Sequence, residues 1–243
     1  MRVRLVAAPV AVILVAAVLS IGACDFVAED PARPEAANDG AAGDAADDAA
    51  GGAAGGALIV AGLATPAAFI DIADEAARLR AVFSELFKVV SHPRCMNCHP
   101  RSGGPLQGDD GRPHQPPVAR GVDDPKAFGM GVVGMQCGTC HGADNVAYAG
   151  ASGSIPGHAP WALAPADMGW TGLSESEICR NLKNVDLNGG RTLDEVLEHH
   201  AEDGLVGWAW DPGLGRTPAP GDQETFGALT AAWIEAGAHC PDA

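Results

Sequence analysis

Two copies of the pentapeptide Cys-x-x-Cys-His, at 95–99 and 137–141, constrain the fold more than any other feature of this sequence. In this motif the two thiols add across the vinyl groups of haem as thioethers, and the histidine binds one axial position of the iron. A chain with two such motifs has to fold around two large apolar rings, so we predict two covalently bound haem c groups. The residues that hold them are Cys95, Cys98 and His99 in the first motif and Cys137, Cys140 and His141 in the second.

A zinc site and a redox-active disulfide are the alternative uses of paired cysteines. Two Cys-x-x-Cys pairs form a four-thiolate zinc site when about 15–20 residues separate them, whereas Cys98 and Cys137 are much further apart. A thioredoxin-like pair lies near a βαβ pattern, but the residues before Cys95 have the pattern of a helix. Neither alternative requires a histidine directly after the second cysteine. The motif therefore favours haem.

The N-terminus has the pattern of a secretory signal. Arg2 and Arg4 precede an uncharged apolar run at 5–21, and small residues lead to Cys24. A basic region, an apolar region and small residues before a cleavage site are typical of a signal peptide. A cysteine in this position resembles the lipobox of bacterial lipoproteins, so we predict a signal peptide at 1–23, lipidation of Cys24 and anchoring on the periplasmic side of a membrane. A plain signal peptide and an uncleaved anchor helix are the alternatives.

Two of the seven cysteines, Cys179 and Cys240, remain after these assignments. An even remainder in an oxidising compartment suggests a disulfide, which typically stabilises a fold by about 2–4 kcal/mol. Two unrelated buried thiols are the alternative.

Residues 24–65 are predicted to form a disordered acidic tether. Most of this segment consists of Ala, Gly, Asp and Glu, and no aromatic residue follows Phe26 until residue 69. Such a composition cannot bury enough apolar surface to offset the entropy lost on ordering. We assign residues 66–243 to a single dihaem cytochrome c domain.

Helical patterns dominate that domain. Apolar residues recur with helical spacing over 67–90, and Pro93 is expected to end this helix. Capping boxes at 174–177 and 192–195 each predict the start of a short helix. No convincing strand pattern is found, so we predict a mostly α fold, with cytochrome c-like helices and long loops around the two haems.

Two glycines and one further cap complete the prediction of helices. Gly204 is expected to end the helix that starts at the second capping box. Asp222 is expected to cap a last helix that runs to Gly237.

The sixth ligand of each iron decides what the haem can do, and His99 and His141 are the predicted proximal ligands. Methionine raises the potential, a second histidine generally lowers it, and a vacant site permits chemistry on a small molecule. Met168 lies in a loop 27 residues after His141 and is the candidate for that haem, although packing against haem would also explain it. For the other haem the candidates are His114, in a proline-rich loop, and then His199.

The segment from Pro100 to Pro125 is predicted to be an ordered irregular loop that wraps the haem edges. Arg101, Arg112 and Arg120 are candidates for pairing with haem propionates. A solvated arginine is the alternative for each of them.

We interpret the chain as a membrane-tethered dihaem cytochrome that transfers single electrons in the periplasm. Its net charge of −16 predicts a redox partner with a basic docking patch and association that slows as salt rises. The same charge disfavours nucleic-acid binding. A haem enzyme similar to a dihaem peroxidase is the main alternative, although such chains are usually longer. A haem-based redox sensor is a third hypothesis, although no signalling domain is recognisable after the motifs.

Several segments carry a family resemblance, namely residues 92–99, 105–109, 137–141, 163–165, 178–180 and 205–208. They resemble small bacterial dihaem cytochromes that are often labelled as a subunit of isoquinoline 1-oxidoreductase, a molybdenum hydroxylase. The resemblance covers about residues 80–241 and implies that the chain accepts electrons from a molybdenum enzyme. Residues 156–162 depart from the family pattern, in which a histidine lies next to the tryptophan. No molybdopterin-binding region is recognisable, so the chain itself would not hydroxylate a substrate.

Overall fold

A computed structural model describes residues 58–150 and 152–242. The predicted signal peptide at 1–23, the lipidation site Cys24 and the tether as far as residue 57 lie outside the described residues. Within the described ranges, no helix combines the length and the apolarity needed to cross a membrane.

Helices and short strands alternate along the described chain. The helices are α1 (Glu75–Val90), α2 (Pro93–Met96), α3 (Glu175–Lys183), α4 (Leu193–Glu202), α5 (Gly204–Gly207) and α6 (Gln223–Glu235). The strands pair as four antiparallel ribbons: β1 (Ile59–Val60) with β2 (Leu63–Ala64), β3 (Leu106–Gln107) with β4 (Arg112–Pro113), β5 (Gly131–Val132) with β6 (Met135–Gln136), and β7 (Val146–Ala147) with β8 (Ser154–Ile155).

The prediction of a mostly α fold is therefore only partly correct, because the described residues combine six helices with small antiparallel sheets. Each strand has only two residues. A strand of that length cannot show the alternation by which strands are recognised in a sequence. Gly62 and Gly134, with φ of 85° and 87°, occupy the turns of two ribbons in a conformation that favours glycine.

Helix α1 leads into the first motif. Asp74 caps it, and its carboxylate accepts a hydrogen bond from the N–H of Ala77 at 2.6 Å. The helix predicted over 67–90 thus begins later, because a 3-10 turn at Pro66–Phe69 occupies its expected start. The helix ends at Val90, the predicted end, and Pro93 begins α2, where the missing N–H of proline costs no helical hydrogen bond.

Three predicted N-terminal caps are confirmed. Ser174 and Thr192 form reciprocal capping boxes with Glu177 and Glu195 at the starts of α3 and α4. Asp222 caps α6, where its carboxylate accepts from a backbone N–H at 2.7 Å. Each cap satisfies backbone donors that would otherwise lack a partner in the first turn.

The end of α4 differs from the prediction. Asp203, and not Gly204, takes the C-cap position. Asp203 also caps α5, accepting from the N–H of Leu205 at 2.8 Å, and Gly204 is the first residue of that helix. A Cβ atom at this position would lie 2.7 Å from Nε2 of His158, so a larger residue would have to displace that ring.

Helices α1, α4 and α6 pack together around the core. Phe83 and Trp233 are fully buried, with ring centroids 5.1 Å apart. His200 is only 4% exposed; it stacks on Phe226 at 4.4 Å, and its Nδ1 lies 3.0 Å from the hydroxyl of Thr230. Burial holds the pKa of His200 well below its usual value, so this imidazole is neutral in the core.

A disulfide between Cys179 and Cys240 joins α3 to the C-terminal segment, as predicted. Two hydrogen bonds hold the same C-terminal segment. Lys183 donates to the carbonyl of Ala238 at 2.7 Å, and Trp233 donates to the carbonyl of His239 at 2.9 Å. The segment after α6 is therefore held against the core by a covalent bond and by its own carbonyl groups.

Regular structure begins before the predicted domain boundary at residue 66. Leu63, in strand β2, is fully buried. The N–H of Ala64 donates to the carboxylate of Glu85 at 3.0 Å, and the N–H of Gly221 donates to the carbonyl of Ala61 at 3.0 Å. The predicted tether therefore extends too far at its C-terminal end, because the buried Leu63 and these hydrogen bonds hold the ribbon of β1 and β2 against the core.

Candidate functional site

The first motif lies on a helical turn. Cys95 belongs to α2, and His92 caps that helix. The N–H groups of Cys98 and His99 both donate to the carbonyl of Cys95, each at 3.1 Å. One turn of backbone thus brings the two thiols and the imidazole of this motif together, as the spacing predicts.

The second motif repeats this geometry. Cys137 opens a 3-10 turn at Cys137–Thr139. The N–H groups of Cys140 and His141 donate to the carbonyl of Cys137 at 3.2 and 3.0 Å. The same five-residue spacing therefore produces the same local hydrogen bonds in both motifs.

His99 is held by two contacts from residues far along the chain. Its Nδ1 lies 2.9 Å from the carbonyl oxygen of Met168. The indole of Trp170 stacks on its ring at 3.7 Å, with an angle of 7° between the planes. A backbone hydrogen bond joins the same two residues, because the N–H of Trp170 donates to the carbonyl of His99 at 2.8 Å.

His141 is held in the same way by different residues. Its Nδ1 lies 2.8 Å from the carbonyl oxygen of Pro156, and Trp161 stacks on its ring at 4.7 Å and 8°. Trp208 supports Trp161 edge-on at 4.9 Å, and its indole N–H donates to the side chain of Asn145 at 2.9 Å. Each motif histidine therefore has a backbone carbonyl on Nδ1 and a parallel tryptophan on its face.

These contacts fix the tautomer of both imidazoles. A carbonyl oxygen only accepts hydrogen bonds, so Nδ1 of His99 and of His141 carries the proton and Nε2 keeps its lone pair. Burial lowers the pKa of His99 to about 4 and also lowers the pKa of His141. Both rings are therefore neutral at pH 7, with Nε2 available to a metal. A hydrogen bond from the second ring nitrogen is the usual support of a ligating histidine.

The four motif thiols are half-buried and unbridged. Burial raises the pKa of Cys95 to about 12 and that of Cys98 to about 11. Cys137 adds to the shift of Cys98, so the two motifs lie within electrostatic range of each other. Burial thus keeps the thiols of Cys95 and Cys98 protonated when no group is bound to them.

A short series of backbone contacts connects the two motifs. The carbonyl of Cys98 accepts from the N–H of Ala164 at 3.1 Å. The preceding residue, Leu163, pairs with Gly129 through two hydrogen bonds of 2.9 and 3.1 Å. The carbonyl oxygen of Gly129 lies 4.0 Å from the sulfur of Cys137. The two motifs are therefore neighbours, although 42 residues separate their histidines in the sequence.

Buried donors without partners lie beside the first motif. Arg120 is 6% exposed; one of its terminal nitrogens donates to the carbonyl of Ala164, and the other has no partner among the described residues. The indole N–H of Trp170, which is 4% exposed, also lacks a partner there. A buried donor without a partner costs about 1–3 kcal/mol. An anion such as a haem propionate accepts hydrogen bonds from donors of this kind, so the buried donors present here fit the predicted cofactor.

The other two loop arginines are placed differently. Arg112 is exposed and pairs with Asp110 at 3.0 Å. The side chain of Arg101 is also on the surface. Of the three arginines considered from the sequence, only Arg120 is thus buried beside a motif.

Arg94 is a buried cation that the sequence analysis overlooked. Its guanidinium is 1% exposed and lies 2.6 Å from the carboxylate of Asp109. It lies 6.0 Å from the ring centre of Trp208. Asp109 also accepts a hydrogen bond from the hydroxyl of Thr217 at 2.7 Å. The position of Arg94 directly before Cys95 was the only sequence signal for this role.

The candidate sixth ligands occupy unexpected positions. The carbonyl of Met168 contacts Nδ1 of His99, which places this residue behind the proximal ring, and its sulfur lies 3.9 Å from the guanidinium of Arg191. His114, assigned to the first haem from the sequence, has its ring centre 6.0 Å from that of His141. Nδ1 of His199 lies 3.1 Å from the carboxylate of Asp203. The structure thus brings His114 to the second motif, and the ligand role of Met168 stays a prediction.

Among the described residues, no group of three or more His, Cys, Asp or Glu side chains is arranged to hold a metal ion. Comparisons with known proteins add no assignment. No family model matches the chain, and no curated protein or solved structure matches it. The resemblance described from the motifs therefore stays a prediction.

Proposed function

We propose that this chain is a dihaem c-type cytochrome that transfers single electrons on the periplasmic side of a bacterial membrane. The repeated support of the two motif histidines carries the proposal. At both His99 and His141, a backbone carbonyl holds Nδ1 and a parallel tryptophan holds the ring, although the supporting residues come from different segments. A carbonyl on the second ring nitrogen is the usual support of a metal-ligating histidine, and the stacked tryptophan further restricts each ring.

When bound, haem supplies a one-electron couple between ferric and ferrous iron. The residues of this chain hold and tune it. Cys95 and Cys98, and likewise Cys137 and Cys140, would provide the thioether attachments. The carbonyls of Met168 and Pro156 polarise the Nδ1–H bonds of the two histidines and raise the basicity of Nε2. The stacked tryptophans fix the ring planes.

The proximity of the two motifs supports electron transfer between two haems. Cys98 and Cys137 lie within electrostatic range of each other, and the pairing of Gly129 with Leu163 connects their segments. An electron that enters at one edge of the protein would therefore have a short path to a second acceptor.

The charge and the N-terminal sequence define the expected partners. With a net charge of −16, we expect a redox partner with a basic patch, and the motif resemblance suggests a molybdenum hydroxylase. Cys24 is the proposed lipid anchor, after cleavage of the signal peptide at 1–23.

Covalent haem content tests the proposal directly. The full chain would be produced with haem-maturation proteins, and haem would be quantified per chain as the pyridine haemochrome after denaturation. We expect two haems in the wild type and one in each double variant, Cys95→Ala/Cys98→Ala and Cys137→Ala/Cys140→Ala.

The matched control removes the other two cysteines. Cys179→Ala/Cys240→Ala should keep both haems, because the disulfide lies outside the motifs. A colourless wild-type protein, or one whose motif thiols bind zinc, would overturn the proposal.

A further inference from the structure

His114 lies close to the histidine of the second motif. The ring centres of His114 and His141 are 6.0 Å apart, and the ring planes are tilted by 59°. The two residues come from separate segments: His114 directly follows β4, whereas His141 ends the second motif. Its backbone is anchored there, with its N–H donating to the carbonyl of Pro105 at 3.2 Å. The pairing is therefore a product of tertiary folding.

Both rings present the same nitrogen for binding. Nδ1 of His114 lies 2.8 Å from the carbonyl oxygen of Pro116, and Nδ1 of His141 lies 2.8 Å from that of Pro156. Each carbonyl accepts, so each Nδ1 carries a proton, and Nε2 is the nitrogen that offers a lone pair when the ring binds a metal. In the part of the chain that the structure describes, neither Nε2 has a hydrogen-bond partner.

The separation of the rings matches a shared metal ion. A metal–imidazole bond is about 2.0–2.1 Å long, and the ring centre lies about 1.1 Å beyond the nitrogen, so two histidines on opposite sides of one ion have ring centres about 6.2–6.4 Å apart. The observed 6.0 Å is close to this value. Rings perpendicular to a haem are free to differ in azimuth, so a tilt of 59° is compatible with axial binding.

We infer that His114 is the sixth ligand of the haem held by the second motif, so that its iron is bound by His141 and His114. The inference rests on the proposed function and deepens it. Two imidazoles bound through Nε2, each with its Nδ1–H polarised by a carbonyl, are strong donors to ferric iron, and the haem would lack the methionine ligand that raises potentials. The second haem is therefore a low-potential, six-coordinate centre that does not bind small molecules while His114 stays in place.

The test replaces His114 in the full matured protein. The ferric wild type should show a bis-histidine low-spin signal from one haem in electron paramagnetic resonance and near-infrared magnetic circular dichroism. In His114→Ala we expect the loss of that signal, a high-spin haem in its place, binding of carbon monoxide by the ferrous form, and recovery of the low-spin signal on addition of imidazole. Covalent haem content should stay at two, because the thioethers do not involve His114.

A second variant and a control make the outcome decisive. His114→Met should give a methionine-to-iron charge-transfer band at this haem and a higher reduction potential. His239→Ala, at an exposed histidine after α6, should leave all spectra unchanged. Two covalent haems with unaltered spectra in His114→Ala would overturn this inference alone, as would an unaltered potential in His114→Met. Absence of covalent haem from the wild type would instead overturn the proposed function.

Discussion

Removal of the Cys179–Cys240 disulfide should lower the free energy of unfolding by about 4 kcal/mol. The bond joins residues separated by 61 positions. A cross-link reduces the entropy of the unfolded chain, and the reduction grows with the size of the closed loop. In this model of loop closure, a loop of about 61 residues gives roughly 4.3 kcal/mol at 25 °C. Alanine is the suitable replacement, because Cys179 is fully buried and serine would bury a hydroxyl group.

The measurement is denaturant-induced unfolding of matured protein with equal haem content. Cys179→Ala/Cys240→Ala should unfold at a clearly lower denaturant concentration than the wild type. The single variant Cys240→Ala should show nearly the same loss, because either change opens the loop. Wild-type protein treated with reductant should approach the double variant, provided that the thioethers stay intact.

One result would refute the reasoning about loop closure. If the free energy of unfolding of the double variant stayed within about 1 kcal/mol of the wild type, closure of this loop would contribute far less than the chain-entropy argument requires. The hydrogen bonds of Lys183 and Trp233 to the same segment would then hold the C-terminus without covalent help.

Three further predictions concern a buried histidine, a buried arginine and the net charge of the protein. Burial depresses the pKa of His200 in the folded state, so the unfolded chain binds a proton more readily as the pH falls. The free energy of unfolding should therefore be at its full value above the unfolded pKa of about 6.5 and should fall by up to about 1.4 kcal/mol per pH unit below it. Unfolding measured against pH should show this slope in the wild type and a smaller slope in His200→Leu. Arg120→Met removes a buried cation beside the first motif. If the charge lies on the order of 10 Å from the iron of the proposed haem, an effective dielectric constant of about 20 gives about 1–2 kcal/mol in favour of ferric iron, which is a fall of roughly 40–90 mV in a redox titration. Arg112→Met, at an exposed ion pair, is its control, and an equal fall in both variants would contradict a specific role for Arg120. Stopped-flow reduction by a basic redox partner should slow as ionic strength rises, and a rate independent of salt would contradict electrostatic docking.

Features that depend on near neighbours in the chain were predictable. The capping boxes at Ser174 and Thr192 form because the two partners of each box are three residues apart. The turns of both motifs form because the N–H groups three and four residues after the first cysteine both donate to the carbonyl of that cysteine. The disulfide was found by elimination, once the motif cysteines and Cys24 had been assigned.

Features that depend on distant segments were missed or misplaced. The carbonyls that hold the two motif histidines belong to Met168 and Pro156, and a carbonyl group leaves no mark in a sequence because every residue has one. Trp170 and Trp161 were overlooked as supports of the rings because they follow different spacings after their motifs. The strand ribbons were overlooked because two residues cannot show a period.

The sequence by itself determined the local turns of the two motifs, at which we propose haem attachment, and the pairing of Cys179 with Cys240, since the turns depend on fixed short spacings and the pair was what remained of the cysteines. Tertiary structure alone decided that the two motifs are neighbours, that Met168 lies behind His99 and that His114 faces His141. Those outcomes depend on how loops return to the helical core, which is set by packing and by hydrogen bonds between residues far apart in the chain. Local spacing carries no information about such contacts.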